Sequence, residues 1–337
     1  MAMTPWNGRV RFLVVVVIPA LLALSAGSAG AAAARRQLTV FSTVTRVTNL
    51  PTLVGLKLLR QDGIDVVVKD LKTPEAVVLA LTEGQGDLAL AYAAFYPAVE
   101  KGAAIRAFFE LARPEFVLVA KKAIGTPQAL NGVKLASHSP RATVQSLLEH
   151  YFRDLPAVKP NYVFMPAGSP ARAEALFQGA VDAAAVDVAA AQAVLDRAPD
   201  KFHILIDLTA APVSNSFLAA RNDFAAQNAD LMKQAMRRLL ESHRKGAKDP
   251  AFWAREGQEF FKEIEPAALE RQVRPLVRLY DPDGGIDRLK GAGAEQNIVF
   301  QVDVKNLSGP ASKWSPAQFF QVAPLEQVLA EMGRAAR

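Results

Sequence analysis

From residue 38 onward the chain switches repeatedly between two hydrophobic periods. Residues 38–43 are rich in β-branched and aromatic side chains and read as a strand; residues 49–60 follow as a helix, and 64–69 return to strand. Thr73 and Pro74 predict the next helix start, because a hydroxyl accepts an orphan backbone N–H and proline fits the first turn. Residues 88–92 read as strand, with Pro97 near the start of a short helix. A second series begins with a strand at 116–120 and continues with a strand at 133–136 and a helix from Ser139-Pro140. A strand at 162–165 and a capped helix at Ser169-Pro170 follow, then strands at 184–186 and 202–206. This alternation predicts an α/β fold built on mainly parallel or mixed sheets.

Beyond Asn215 the pattern becomes mostly helical. Leu231, Ala235, Leu239 and Leu240 share one face of a helix over 228–244, and Asp249-Pro250 precedes another. Ser315-Pro316-Ala317-Gln318 has the spacing of a capping box. The run Asp281-Pro282-Asp283-Gly284-Gly285 reads as a turn opening an irregular surface connection through Gly293; its two aspartates lack the full spacing of a calcium loop.

The start of the chain is different. Arg9 and Arg11 precede an apolar run from Phe12 to about Ala26, and small residues fill 25–34, the order of a secretory signal peptide. Ala29-Gly30-Ala31 and Ala32-Ala33-Ala34 place cleavage after Ala31 or Ala34. The run is short for the roughly 20 residues of a membrane span and contains Pro19, so the mature protein is not expected to be membrane-spanning. Removing Arg9 and Arg11 with the leader lowers the formal charge of the 337-residue chain from +6 to +4. So mild a charge, mixed in sign along the chain and without nucleic-acid motifs, gives no reason to expect nucleic acid as a partner. The chain has no cysteine, which removes disulfides, thiolate catalysis and cysteine-based metal sites.

Four segments, in order, resemble the periplasmic solute-binding proteins of the ABC transport systems for nitrate, sulfonate, taurine and thiamine precursors. Gly86-Asp87-Leu88-Ala89-Leu90-Ala91 is similar to that family's Gly-acid-hydrophobic strand, and Leu130-Asn131-Gly132-Val133-Lys134-Leu135-Ala136 to the opening of its second lobe. Gly179-Ala180-Val181-Asp182-Ala183-Ala184 resembles its later Gly-x-Val-Asp-Ala segment, and Ser214-Asn215-Ser216-Phe217-Leu218 its return toward the first lobe. The resemblance implies a type II, two-lobed periplasmic-binding-protein-like fold with an interlobe cleft. Its first lobe would be discontinuous, 35–121 plus 211–337, enclosing a second lobe at 122–210. It also implies a periplasmic monomer without a cofactor that passes a small polar or anionic solute to an ABC transporter permease.

Candidate contacts fall at predicted strand ends. Ser42, Thr43, Thr45 and Arg46 follow the first strand; hydroxyls can bind a polar ligand, and a guanidinium can hold a carboxylate, sulfonate or phosphate, although capping and an ordinary ion pair are open alternatives. Tyr92, Ala93, Ala94 and Phe95 follow the third strand, where the rings can face the cleft or pack behind it. Ser137, His138, Ser139, Arg141 and Ala142 surround the expected helix start at Ser139, whose N–H groups and dipole favour an anion. Asp187 and Val188 mark a strand-to-helix turn at which Asp187 can bind a ligand or cap the helix; Ser214 and Asn215 lie at the lobe crossing. Asp182 reads as a structural turn acid.

Catalysis has little support. Ser42, His203 and Asp187 can be written as a triad, but Ser42 lacks the nucleophile-elbow context. The four histidines are dispersed without zinc-ligand spacing, and nothing resembles the Cys-rich signature of precursor-making enzymes. The remaining alternative to a binding protein is a secreted structural or protein-interaction module that keeps the scaffold without transport.

Overall fold

The computed structural model describes residues 37–43, 45–140 and 142–335; residues 1–36, which include the expected leader, together with Val44, Arg141 and the last two residues lie outside this range. Strand β1 (Gln37–Ser42) leads through a short 3-10 turn into α1 (Leu50–Gln61), and β2 (Asp65–Asp70) into α2 (Pro74–Thr82). Thr73 caps α2 as expected, its hydroxyl accepting from Ala76 N at 3.2 Å. β3 (Leu88–Ala91), α3 (Phe95–Glu100) and β4 (Ile105–Ala112) complete the first series.

The second series is β5 (Phe116–Lys121), β6 (Lys134–Ser137), α4 (Thr143–Phe152), β7 (Asn161–Phe164), α5 (Ser169–Phe177), β8 (Ala183–Asp187), α6 (Val188–Arg197) and β9 (Phe202–Asp207). β10 (Ser216–Arg221) follows, then a helical tail that includes α7 (Asn222–Gln227), α8 (Ala229–Lys248) and α9 (Ala251–Gly257).

The strands form two five-stranded mixed sheets with one topology used twice. The first runs β2-β1-β3-β10-β4, and the second β7-β6-β8-β5-β9. In each, four strands run in one direction, and one strand arriving from the other half of the chain lies antiparallel between its neighbours: β10 between β3 and β4, β5 between β8 and β9. These are two lobes of the type II binding-protein kind. The chain crosses between them twice, at 113–115 and at 208–215, and the crossings meet where Asn215 N donates to Ala112 O at 2.9 Å.

Three expectations are corrected here. The chain beyond Asn215 is not helical from its start, because Ser216–Arg221 is a central strand; Phe217, Leu218, Ala219 and Ala220 are apolar without alternation since both faces of the sheet are covered. β5 hydrogen-bonds in the second sheet, although the sequence reading placed residues up to 121 with the first lobe. The 281–285 turn is not a surface connection: Asp283, Gly284 and Gly285 are buried against β4, and residues 286–289 form a helical turn. Gly284 and Gly285 take positive φ of 66° and 68°, and a Cβ at Gly285 would run into the Glu110 side chain. The acids of the turn meet arginines. Arg288 Nε binds the buried Glu110 at 2.6 Å and its Nη2 binds Asp281 at 2.8 Å, while Arg244 Nη2 binds Asp283 at 2.9 Å. The capping box is present, with Ser315 N donating to Gln318 Oε1 at 2.7 Å.

The helical tail packs on both lobes. Leu239 and Leu240 of α8 join Leu38, Val40 and Leu56 behind the first sheet, whereas Leu269, Val273 and Leu276 join Ala191 and Val194 of α6 in the second lobe. Ion pairs reinforce the second contact: Arg271 to Asp196 at 2.7 Å, Arg278 to Asp207 at 2.9 Å and Arg153 to Asp303 at 3.2 Å. All three are substantially exposed, so each contributes no more than about 1 kcal/mol.

His243 of α8 is fully buried edge-on to Phe109 and Tyr280, with Nδ1 at 2.9 Å from the Asp281 carbonyl. Burial lowers its pKa to about 4 against the pull of Asp281. The folded state therefore binds the proton less readily than the unfolded chain. The stability this contributes is present above about pH 6.5 and is lost as the pH falls toward 4, by up to about 3 kcal/mol. Urea unfolding across this range should show the loss, and His243→Gln should flatten it; an unchanged slope in the variant would assign the acid sensitivity elsewhere.

Candidate functional site

In open α/β sheets, ligands bind beyond the carboxyl ends of the parallel strands. Here those ends are Ser42 of β1, Ala91 of β3, Ser137 of β6 and Asp187 of β8, and side chains that follow them from both lobes converge beside the first crossing. Arg46, in the loop after β1, is the centre of this group. Its Nη1 lies 2.7 Å from Oε1 of Glu115 on the crossing, while Nη2 donates to Tyr92 Oη at 3.3 Å and approaches Asn49 Oδ1 at 3.5 Å. The Arg46 side chain keeps 24% of its surface exposed against 3% for Glu115. Glu115 belongs to the second lobe by its backbone, since its carbonyl accepts from Val188 N at 2.8 Å.

The second lobe contributes another cation. Arg172 of α5 is 1% exposed, and its guanidinium donates only to neutral acceptors: Ala185 O at 2.7 Å, Met165 O at 3.2 Å and Ser169 Oγ at 3.1 Å. Among the described residues no carboxylate forms an ion pair with it. Burial, and secondarily the Arg46 charge, lower its pKa to about 10 against the pull of Asp187, which leaves it charged at neutral pH. At the end of β6, the Ser137 hydroxyl is buried without a hydrogen-bond partner among the described residues. The neighbouring His138 is half-buried, with Nδ1 at 3.2 Å from Ser139 Oγ. Burial, then Arg172 and Arg46, depress its pKa, so proximity to two guanidiniums favours the neutral ring.

The Glu115 carboxyl shifts in the opposite sense. Burial raises the Glu115 pKa, Asp187 adds to the rise, and Arg46 only partly offsets it. For Arg46, burial acts downward, but Glu115, Tyr92 and Asp187 outweigh it and the net shift is upward. The region thus holds two buried or half-buried guanidiniums, one carboxylate with a depressed acidity and one carboxylate used as a cap.

Several predicted residues have other duties. Phe95 is wholly buried among Tyr96, Phe217 and Phe319, because it begins α3 facing the back of the sheet; it is a core residue. Thr45 is committed to Asp70, which accepts from its N at 3.1 Å and Oγ1 at 2.8 Å. Ser214 N donates to Asn297 Oδ1 at 2.7 Å, which ties it to the helical tail. Asp187 caps α6 by accepting from Ala190 N at 2.9 Å, and Val188 is buried.

The expected helix start at Ser139 is displaced to Thr143. Ser139 O instead accepts from Ala142 N at 3.2 Å, a turn with Pro140 at its second position, where the fixed φ of proline belongs. Ala142 is the residue preceding the helix, and Arg141 lies outside the described residues. Ser42 is buried at its strand end and Thr43 follows it in a bend; Ala93 and Ala94 are half-buried in the turn before α3. The amide of Asn215 is buried with neither side-chain atom partnered among the described residues.

Sequence reasoning missed Asn49, Glu115, Ser169 and Arg172. Two of these had a signal. Arg172 falls on a helical face that otherwise carries Ala173, Ala175 and Leu176, and Glu115 is an isolated acid between two apolar runs. Ser169 was read as a cap, but its hydroxyl accepts from Asp187 N at 2.9 Å and from Arg172, and Gly168, with φ of 92°, takes the capping position. A surface depression of about 630 Å³ lined by Asp62, Gln234, Arg238 and Glu241 lies away from this group, and its charges are already paired with one another.

Comparison with known proteins bears on the fold and the family. The chain belongs to the family described as ABC transporter, phosphonate, periplasmic substrate-binding protein, which matches residues 44–269. It is therefore a substrate-binding protein of an ABC transporter. Among solved structures, a Bordetella bronchiseptica RB50 protein superposes with a TM-score of 0.68 at 17% identity, covering 88% of this chain and 98% of its own. The periplasmic nitrate-binding protein NrtA from Synechocystis PCC 6803 gives 0.66 at 10% identity, covering 89% and 90% respectively. The alkanesulfonate-binding protein SsuA from Xanthomonas axonopodis pv. citri, bound to MOPS, gives 0.58 at 18%, covering 81% and 94%. At these identities the likeness concerns the fold. A search of curated proteins found no match. Among the described residues no helix is long and apolar enough to cross a membrane, and no group of three or more His, Asp or Glu is placed to hold a metal ion.

The electrostatic coupling within the group can be checked directly. Arg172→Met removes the charge at similar length, so the His138 pKa should rise toward its ordinary value in an NMR titration; no movement would mean that the two groups do not share one environment.

Proposed function

We propose that this chain captures a small organic anion between its two lobes and delivers it to an ABC transporter permease. Arg172 carries the reading. A guanidinium buried against carbonyls and a hydroxyl, with no ion pair among the described residues and only the nearby Asp187 to offset it, leaves positive charge poorly compensated where both lobes' strand ends meet. A buried charge of this kind is costly unless a counter-charge arrives, so an anion entering from solvent relieves the cost and gains affinity. Arg46 supplies a second, directional donor from the first lobe, and the Ser137 hydroxyl supplies a free donor from the second.

An anion touching both lobes is bound more tightly when they are together than apart, which is the differential affinity that drives closure. We assign the first lobe to residues 37–112 with the segment beyond 215, and the second to 115–207. Tyr92, Asn49, Ser42 and Thr43 line the first lobe's side, and Ser137, His138 and Asp187 the second's. The leader at 1–34 directs export, and the mature protein works in the periplasm as a monomer. The phosphonate in the family's description, and the nitrate and alkanesulfonate in the names of two structural relatives, are all anions, which is consistent with this charge arrangement.

Calorimetric titration of the mature protein with methylphosphonate, methanesulfonate, nitrate, small carboxylates and neutral amides separates the possibilities. Saturable binding is expected for at least one anion and for none of the amides. Arg172→Met should weaken it roughly tenfold or more, the scale of one lost hydrogen bond to a charged group. No saturation by any anion, with the protein folded, would overturn the reading and favour an interaction module built on the same scaffold.

A further inference from the structure

Arg46 is already occupied by Glu115, and this has a consequence for any anion that uses it. Glu115 is buried, its ion pair is with Arg46 at 2.7 Å, and Asp187 stands near as a second negative charge. An incoming anion must divide the Arg46 guanidinium with Glu115. Two carboxylates and a ligand anion would then share two guanidiniums in a site that excludes water, and the carboxyl with the least support is the one that gives up its charge. Asp187 keeps the N-terminus of α6 and Ala190 N as partners, and both favour a carboxylate there. Among the described residues no backbone N–H donates to the Glu115 carboxylate.

We propose that anion capture in this cleft is coupled to the uptake of one proton by Glu115, the buried carboxylate that otherwise shares Arg46. The inference rests on the anion-binding reading above. The bookkeeping is simple: a proton from solvent joins a Glu115 carboxylate oxygen, the anion keeps its charge, and Arg46 turns from an internal to a ligand ion pair. Closure then buries an anion and a neutral carboxyl in place of two competing anions.

The groups facing Glu115 bear on this assignment. Arg46 and Thr48 approach from the segment after β1, Asp187 from the end of β8 and Tyr280 from the helical tail, with Tyr92 behind Arg46. Arg172 and His138 stand one step further, linked to Arg46 and to each other by charge. Of these, His138 is the competitor, because a ring held neutral by two guanidiniums also gains a proton when an anion arrives.

Glu115 is raised above the ordinary carboxylate range in the free protein, and an anion on Arg46 raises it further. Affinity should therefore be flat at low pH, where Glu115 is protonated in both states. It should fall by up to about tenfold per pH unit as the pH rises from the free to the bound value, and level off above it. Methanesulfonate is the suitable probe because its own charge does not change over this range. Titrations at one pH in buffers of different ionisation enthalpy should show up to one proton taken up per ligand within the window.

Glu115→Gln should abolish both the uptake and the pH slope, and His138→Asn should keep them. If Glu115→Gln does not fold, the buffer dependence of the unaltered protein together with His138→Asn still decides the matter: uptake lost in His138→Asn transfers the proton to the imidazole and overturns the assignment. Saturable methanesulfonate binding with no uptake at any pH also overturns the proton coupling while leaving the anion-binding reading intact. Absence of methanesulfonate binding at every pH, in a protein that binds no other anion, sinks both.

Discussion

Each sheet of this protein depends on a strand that the other half of the chain delivers. β5 reaches the second sheet directly from β4 of the first, and β10 reaches the first directly from β9 of the second; both then lie between two neighbours, where a missing strand would leave two ladders of backbone groups unpaired. Two crossings follow from this exchange. They lie side by side, joined by the Asn215 to Ala112 hydrogen bond, so the chain passes between the lobes at one edge, and the helical tail packs on both. The carboxyl ends of both parallel sets are thereby brought to the same place, and everything that can recognise a solute is positioned by that one topological fact.

Charge placement at this junction is economical in residues and demanding in energy. Arg172 is held by neutral oxygens, which fix its direction without neutralising it, whereas Arg46 is fixed by a full ion pair and by Tyr92. One lobe thus presents a cation already answered and the other a cation still unanswered. Such a pair distinguishes an anion from a neutral solute more sharply than two exposed arginines would, because exposed charges are screened by water and salt. The acid–arginine network behind the first sheet, around Glu110, Asp281 and Arg288, uses the same residue types for the opposite purpose: every charge is answered internally and the turn is held still.

Much of the architecture was legible in the sequence because it is local. Alternation of periods located eight of the ten strands among the described residues, and the Thr73 and Ser315 caps read true because a cap depends on three or four consecutive residues. β10 was overlooked since a strand buried on both faces has no alternation, and Phe217-Leu218-Ala219-Ala220 is as apolar as a buried helix. Residues 281–285 misled for a related reason: Asp-Pro-Asp-Gly-Gly describes the backbone path correctly but does not reveal that β4 and two arginines cover it. The candidate site was half legible. Arg46, Tyr92, His138 and Ser137 stand at strand ends that periodicity finds. Arg172 and Glu115 matter because of what the fold brings against them, and Phe95 and Ser214 look like contacts until Phe217 and Asn297 arrive from distant parts of the chain.

The order of strands in the first sheet also has a consequence in time. β10 sits between β3 and β4, yet it is made about a hundred residues after β4 is complete. Until then the sheet has a gap between β3 and β4, which local contacts cannot close; the second lobe, uninterrupted from β5 to β9, faces no such delay. A chain emerging from its N-terminus therefore holds its first lobe unfinished while its middle is already competent to fold. It becomes a closed molecule only when the return strand slides into the place kept for it.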